Sequence, residues 1–340
     1  MGKIITFGEI MLRLAPEGYR RFVQASSFGA TFGGGEANVA VSLANFGMDA
    51  AFVTKLPKHE LGQAAVNSLR GFGVDTSFIV RGGSRIGIYF LEKGASQRPS
   101  KVIYDRAHSS IAEAAPSDFD WQTIFSDAAW FHFTGISPAI SDGAAAITMD
   151  ACKAAKAAGI TVSCDLNYRK NLWSKEKAGK VMEKLMEYVD ICIANEEDAE
   201  AVFAVRAEGT DVNSGKIRPE GYERVAKTLT ERFGFQQTAI TLRESISASD
   251  NNWGAMLYRG GTGYFSKQYA VRVVDRVGGG DSFAAGLIYG LVNAMDPRET
   301  LEFAVAASCL KHSIEGDFNQ VSVEEVKKLA GGDASGRVQR

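Results

Sequence analysis

A run of three glycines beside an aspartate is the stretch whose residue types most directly indicate chemistry. In DRVGGGDSFAAGLIYGL (residues 275–291), Gly278, Gly279 and Gly280 precede Asp281, and the apolar pattern that follows predicts a helix. Residues this small let backbone N–H groups converge on an anion, and the positive end of the helix dipole adds to the attraction. The motif therefore predicts a phosphate cradle with a carboxylate at its mouth.

Asp281 admits two interpretations. Aspartate is favoured at the start of a helix, where it caps N–H groups and needs no further role. A carboxylate at the mouth of an N–H cradle can also accept a proton from a bound hydroxyl while the cradle stabilises a phosphoryl group arriving from the other side. Since the helix dipole favours the charged form, we expect Asp281 to be ionised at neutral pH.

Neither standard nucleotide-binding motif occurs in the sequence. A dinucleotide site would place GxGxxG directly after the first strand, but GEIMLRL stands there. The P-loop pattern GxxxxGK[ST] is also missing, because Gly215 and Lys216 are followed by Ile217. A phosphate site in this chain must be built in another way.

Composition limits the class of protein. The 340 residues carry a net charge of −2, which gives no general attraction to nucleic acid or to an anionic membrane. No apolar run reaches the roughly 20 residues that span a bilayer, and the first residues lack a secretory pattern, so we expect a cytoplasmic protein. The four cysteines form no CxxC pair and the four histidines show no ligand spacing, so buried free thiols are favoured over a zinc site.

Short apolar runs alternate with helical patterns along most of the chain. The strand-sized runs are residues 4–8, 50–56, 129–135, 160–167, 190–195 and 237–242. Such alternation predicts a three-layer α/β/α core with a mostly parallel sheet covered on both faces. Helices are also predicted near residues 281–293, 298–313 and 322–330.

Two segments break this alternation and predict a separate small sheet. Residues 83–107 contain two alternating runs around a turn, as in a β-hairpin, and residues 11–32 lack a helical pattern. Such a sheet closes over a ligand as a lid or pairs two subunits, and the two roles are compatible. The predicted division is a core of residues 1–10, 33–82 and 108–335, a lid of residues 11–32 and 83–107, and a tail of residues 336–340.

The paired glycine motifs resemble those of the ribokinase-like sugar kinases, the PfkB family. Residues 275–281 match the family's C-terminal signature, and GGGEANVAVSLANFG, with Gly34, Gly35 and Asn38, matches its N-terminal signature. The resemblance extends over essentially the whole chain. It implies an ATP- and Mg²⁺-dependent kinase with Asp281 as the base, Gly278–Asp281 as the anion hole, and a β-sheet lid over the sugar.

Tyr89 in GIYFLE, Tyr104 and Arg106 in VIYDRA, and the run Asn167-Tyr168-Arg169 in DLNYRKNLW stand where one subgroup of the family carries the same residues. On these residues the chain is similar to the kinases of 2-keto-3-deoxygluconate. The resemblance implies a set of sugar-binding residues: Gly34, Gly35, Asn38, Tyr89, Tyr104, Arg106, Arg169 and Asp317. Two of these, Arg106 and Arg169, suit the carboxylate of an acidic sugar. An exposed position on the hairpin would also explain Arg106, and a strand-end salt bridge or a phosphate contact would also explain Arg169. Asp317 is nearly as well explained as a turn residue.

The resemblance also implies the nucleotide site. Its residues are Asn167, Asn195, Thr241, Arg243 and Glu244. Asp198 stands where the family's Asn-x-x-Glu run has glutamate, so the metal ligands stay unassigned. Arg243 and Glu244 are expected to begin a polar loop longer than the family's glycine turn, and Arg276 replaces the usual Thr or Pro.

The leading hypothesis is the phosphorylation of 2-keto-3-deoxy-D-gluconate to 2-keto-3-deoxy-6-phosphogluconate. A kinase for a neutral sugar such as fructose, or for a nucleoside, is the first alternative. A sugar- or nucleotide-binding regulator without turnover is the second. Some relatives use a monovalent cation near the anion hole, and an open-edged lid sheet favours a homo-oligomer.

Overall fold

The computed structural model describes residues 2–206 and 219–333. The predicted tail of residues 336–340 lies outside this part of the chain. The strands are β1 (Lys3–Phe7), β2 (Met11–Ala15), β3 (Gly29–Gly33), β4 (Ala50–Leu56), β5 (Ile79–Arg81), β6 (Gly87–Glu92), β7 (Lys101–Asp105), β8 (Ala128–Thr134), β9 (Thr161–Asp165), β10 (Ile191–Ala194), β11 (Gln237–Ser245), β12 (Asp250–Arg259), β13 (Thr262–Phe265) and β14 (Tyr269–Arg272). The helices are α1 (Gly35–Asn45), α2 (Glu60–Gly71), α3 (Trp121–Ile124), α4 (Ile136–Ile140), α5 (Asp142–Ala157), α6 (Lys175–Met186), α7 (Glu196–Phe203), α8 (Pro219–Phe233), α9 (Gly279–Val292), α10 (Pro297–Lys311) and α11 (Val323–Ala330).

A large sheet forms the centre of the molecule. Its strand order is β13-β12-β11-β10-β9-β8-β1-β4-β5, with β14 paired to β12. The seven strands from β11 to β5 run parallel, whereas β12, β13 and β14 are antiparallel additions at one edge. Parallel strands of this kind are continuously apolar because helices cover both faces.

Alternate residues of the central strands pack into different cores. Ile5 and Phe7 of β1 contact a cluster formed with α3, α5, α6, α7 and α8, while Ile4 faces a cluster formed with α1, α9, α10 and α11. The period of two in a strand produces this division. The predicted three-layer α/β/α architecture is confirmed.

A second sheet of four strands lies apart from the first, in the order β3-β2-β6-β7. Strands β6 and β7 form the antiparallel hairpin that the sequence predicts for residues 83–107, and β2 pairs with β6 in parallel and with β3 in antiparallel. These four strands come from the two segments assigned to the lid, apart from Gly33 at the end of β3. No helix in the described ranges is long and apolar enough to cross a membrane.

Candidate active site

The carboxyl ends of the parallel strands meet at one edge of the large sheet. In open α/β sheets this edge is where ligands bind. A cavity of about 1430 Å³ opens there, and residues from the second sheet line it as well. Both sheets therefore contribute to one site.

The structure brings most of the predicted site residues to this cavity. Those that line it are Gly34, Gly35, Asn38, Tyr89, Tyr104, Arg106, Asn167, Arg169, Asn195, Thr241, Arg243, Gly278, Gly280, Asp281 and Asp317. Segments more than 240 residues apart meet here, since Asn38 contacts Asp281 directly.

Gly279 and Glu244 do not line the cavity. A Cβ on Gly279 would lie 2.5 Å from Cε1 of His312, so the residue packs against that ring, and its N–H donates to the Arg276 carbonyl at 3.4 Å. Glu244 accepts a hydrogen bond from Asn252 Nδ2 at 2.7 Å on the neighbouring strand. Their predicted site roles have less geometric support than those of the other residues.

The glycine run forms a tight turn into α9. Gly278 has φ +84°, in the left-handed region, and a Cβ there would lie 2.0 Å from the Asp317 carbonyl oxygen. Among the described residues, the backbone N–H groups of Gly278, Gly280 and Asp281 have no acceptor. Three donors at the start of a helix are thus free to bind an anion.

Asp281 is partly buried beside these donors. Its Oδ2 accepts a hydrogen bond from Asn38 Nδ2 at 2.6 Å. Burial, with smaller contributions from the carboxylates of Glu36 and Asp317, raises the pKa of Asp281 to about 7, although Asn38 and Arg169 oppose the rise. At neutral pH Asp281 is therefore only partly ionised, in contrast to the expectation from the helix dipole, because removal from water outweighs the groups that favour the charge.

A buried ion-pair network lies beneath the turn. Arg13 of β2 donates through Nη1 to Asp317 Oδ1 at 2.7 Å and through Nη2 to Asp275 Oδ2. The Tyr89 hydroxyl lies 2.7 and 2.6 Å from the two Asp317 oxygens. Both Asp317 oxygens therefore have protein partners, and the network joins the second sheet to the loop that precedes α9.

The second sheet also positions Arg106. Its Nε donates to Glu9 Oε2 at 2.8 Å, and Glu9 Oε1 accepts a hydrogen bond from Ser109 at 2.6 Å. The guanidinium lies 5.6 Å from the ring centre of Tyr104. Its Nη1 has no partner among the described residues, so one edge of the guanidinium is free to face the cavity.

Arg169 is exposed at the opposite wall. Its Nη1 donates only to the adjacent Tyr168 carbonyl, at 3.1 Å, and no carboxylate in the described ranges forms a salt bridge with it. Its charge nevertheless opposes the rise in the pKa of both Asp281 and Asp198. Arg106, which is paired with Glu9 but keeps Nη1 free, and Arg169, which has no salt bridge in the described ranges, thus both line the cavity.

Two acidic side chains, Asp165 and Asp198, lie near Asp281. Burial raises the pKa of Asp198 to about 6, and burial together with the Asp198 charge raises that of Asp165 well above its usual value. Asn195 caps α7 by accepting from the Asp198 N–H at 2.8 Å. Asn167, at φ +38°, hydrogen-bonds Asp165 through its backbone.

No group of three or more potential ligands able to hold a metal occurs within residues 2–206 and 219–333. Magnesium, however, commonly takes one or two carboxylates and completes its shell with water and substrate phosphates. Asp165 and Asp198 fit that requirement, since a cation would relieve the repulsion between them.

The nucleotide-side segment differs from the sequence-based expectation. Arg243 and Glu244 do not begin a long loop, because β11 continues to Ser245 and pairs with β12 through a turn of residues 246–249. On its other side, β12 pairs with β14 through residues 250–253, so the polar segment after Thr241 belongs to a three-stranded antiparallel arrangement. Thr241 and Arg243 line the cavity from this hairpin.

Several residues at the site were missed by the sequence analysis: Glu9, Arg13, Glu36 and Asp165. Glu9 follows β1 closely and Asp165 ends β9, so the rule that ligands bind at strand carboxyl ends could have identified them. Arg13 and Glu36 gave no such signal, because each is a single charge within an apolar pattern. Glu36 is buried and its Oε1 accepts hydrogen bonds from Thr134 and Ser137.

Comparisons with known proteins place these features in a family. The profile of the "pfkB family carbohydrate kinase" matches residues 1–321. The chain belongs to the PfkB family. It is accordingly a phosphotransferase that acts on a sugar hydroxyl, and its predicted ribokinase-like fold is confirmed.

This PfkB kinase is similar over nearly its full length to several named relatives. A crystal structure of 2-dehydro-3-deoxygluconokinase from Thermotoga maritima is 55% identical, with a TM-score of 0.95, and the match covers 98% of this chain and 100% of that one. A 2-dehydro-3-deoxygalactonokinase of Haloferax volcanii is 34% identical over 98% of each chain. A 2-dehydro-3-deoxygluconokinase of Thermoproteus tenax is 30% identical over 93% of this chain and 90% of its own length.

Proposed function

We propose that this PfkB kinase transfers the γ-phosphoryl group of ATP to the 6-hydroxyl of 2-keto-3-deoxy-D-gluconate. The observation that carries the proposal is the arrangement of one cavity, in which Asp281 and free N–H groups meet at the turn into α9. Arginines face the same cavity from the second sheet and from the end of β9. Such a site suits phosphoryl transfer to a sugar that carries a negative charge.

Asp281 would accept the proton of the sugar hydroxyl as its oxygen attacks the γ-phosphorus. A base works best when its pKa lies near the working pH, and a value of about 7 meets that condition. The N–H groups of Gly278, Gly280 and Asp281 would stabilise charge on the transferring phosphoryl oxygens. Asn38 would hold the carboxylate in place through its 2.6 Å hydrogen bond.

Arg106 and Arg169 would bind the sugar carboxylate. Arg106 is fixed by Glu9 and retains a free Nη1, while Arg169 is exposed and has no salt bridge in the described ranges, so its guanidinium is available to complete the contact. The relatives named above also act, by their names, on deoxy keto-sugar acids. The remaining predicted sugar contacts, Gly34, Gly35, Tyr89, Tyr104 and Asp317, belong to this proposal.

ATP would lie toward β11, beside Thr241 and Arg243. Magnesium would be held by Asp198 and Asp165 together with the ATP phosphates, and it supplies charge neutralisation and alignment of those phosphates when bound. Asn167 and Asn195 would position these two acids. A monovalent cation near the anion hole stays a prediction, as does a cytoplasmic location.

An Asp281→Asn variant tests the assignment of the base. We expect turnover to fall by about 10²–10⁴-fold because the amide cannot accept the proton, while ADP binding by calorimetry stays unchanged. Asp142→Asn is a matched control, since Asp142 also lies in the first turn of a helix but outside the cavity. Turnover retained in Asp281→Asn would reject the proposed mechanism.

A second substrate is favoured by one relative. The protein of Haloferax volcanii is named for the galactonate epimer, so 2-keto-3-deoxygalactonate belongs in the same assay. Neutral sugars such as fructose, and nucleosides, remain the alternatives from the sequence analysis. They lack the carboxylate that Arg106 and Arg169 would bind, so the same assay distinguishes them from the sugar acids.

We also propose that the second sheet closes over the sugar and joins two copies of the chain. Successive strand residues point to opposite faces, so Tyr104 faces the cavity and Ile103 faces outward. Ile103 is 46% exposed and Phe28 is 39% exposed, and Phe28 contacts Phe90, the partner of Ile103 in the hairpin. A second copy of the same apolar face would cover these residues.

A further inference from the structure

Two arginines on the wall beside the anion hole lack an acidic partner. The backbone of Arg243 pairs with β12, but its guanidinium forms no hydrogen bond or ion pair with any described residue. Arg276, two residues before Gly278, donates through Nη2 to the Ala248 carbonyl at 2.9 Å and has no salt bridge in the described ranges. The nearby carboxylate of Asp275 is already paired with Arg13.

The two guanidinium groups repel each other. Burial, and then the charge of Arg243, lower the pKa of Arg276 below its usual value. Burial, and then the charges of Lys311, Arg276 and Arg243, lower the pKa of His312 to about 4, so its ring is neutral and adds no further positive charge. Arg276 is half-buried and Arg243 is exposed, so solvent weakens their repulsion only in part, and a bound anion would offset the rest.

The position of Arg243 and Arg276 indicates what kind of anion they could bind. Both arginines line the cavity with Gly278 and Gly280. The contact with Ala248 holds Arg276 through one nitrogen and leaves Nη1 and Nε for a ligand. An arginine with a free, fixed edge is well suited to phosphate oxygens.

We propose that Arg243 and Arg276 form a clamp for the β-phosphate of the donor nucleotide. The inference rests on the proposed kinase function. In the transfer, a bond forms between the sugar oxygen and the γ-phosphorus, and the bond from the γ-phosphorus to the β,γ-bridging oxygen breaks. The hydroxyl proton passes to Asp281, and the bridging electrons stay on ADP. The clamp therefore stabilises the charge that the leaving group gains.

Binding of ADP and AMP separates a β-phosphate clamp from a purely structural role. We expect Arg243→Met and Arg276→Met each to weaken ADP binding by about 10-fold or more, with AMP binding unchanged, because AMP has no β-phosphate. Arg276→Lys should recover part of the ADP affinity. Arg272→Met is the matched control, since it removes an exposed positive charge from β14 outside the cavity.

The experiment distinguishes failure of the β-phosphate clamp from failure of the proposed kinase function. Loss of ADP and AMP affinity together would show that Arg276 only supports the turn at Ala248, and would overturn the clamp. Unchanged ADP affinity in both variants, within about threefold, would overturn it as well. If the wild-type chain binds ADP but phosphorylates no sugar acid, the proposed function fails while the binding comparison still decides the clamp.

Discussion

Asp281 lies between groups that change its proton affinity in opposite directions. Burial and the neighbouring acids Glu36 and Asp317 raise its pKa, while Asn38 and Arg169 lower it. The outcome, about 7, makes the residue a stronger base than an exposed aspartate and leaves it partly protonated at neutral pH. The sequence predicted that Asp281 lies at the start of a helix beside an anion site. The proton affinity of its carboxylate depends on neighbouring residues that only the fold brings together.

This environment predicts the pH dependence of turnover. Because the base must be ionised, kcat/KM should fall as pH drops through about 7. Arg169→Met should move this limb to higher pH, since Arg169 favours the charged form of Asp281. Lys170→Met, which removes the adjacent exposed charge, is the control. A limb that lies near pH 4 in the wild type would contradict the account.

The turn into α9 shows what an element adds to the motif. The sequence predicts glycines that free N–H groups, but two of the three serve different structural needs. Gly278 adopts a left-handed conformation against the Asp317 carbonyl and Gly279 packs against the His312 ring, whereas the space beside Gly280 is open. The predicted strands and helices were largely right, and the polar loop after β11 was wrong because pairing with β12 and β14 overrides its local composition.

Alanine substitutions separate these roles. Gly278→Ala should lower the free energy of unfolding by about 1–3 kcal/mol, from backbone strain alone, and more once the close approach to Asp317 is included. Gly280→Ala meets no atom within 4 Å and should leave the unfolding midpoint unchanged. Thermal denaturation of both variants measures the difference. Equal stability of the two would show that the turn tolerates a side chain at either position.

At the scale of the whole molecule, long-range contacts assemble the site. Arg13 connects the second sheet to Asp275 and Asp317, and Asn38 connects α1 to Asp281. The family resemblance implied that Asn38 binds the sugar and that Asp281 is the base, and the hydrogen bond between the two side chains joins the two glycine motifs. It gave no indication of Arg13, because a lone arginine in the run Met11–Ala15 has no pattern that marks a partner some 300 residues away.

The outer face of the second sheet predicts an oligomer. Ile103→Glu should convert a dimer into monomers at micromolar concentration, because a buried unpaired carboxylate is unfavourable at an apolar interface. Ile246→Glu is the control, since Ile246 is 64% exposed on the hairpin turn outside this sheet. Sedimentation velocity measures both variants. A wild-type chain that sediments as a monomer would contradict the predicted interface.

The most direct test of the central claim is ADP release with a panel of acceptors. The panel contains 2-keto-3-deoxygluconate, its galactonate epimer, fructose and a nucleoside, each with wild type and with Arg106→Ala. We expect turnover on the sugar acids only, and a rise of about 10-fold or more in their KM in Arg106→Ala, because a charge-assisted contact is lost. Turnover that favours fructose or a nucleoside, or that is unaffected by Arg106→Ala, would contradict carboxylate recognition.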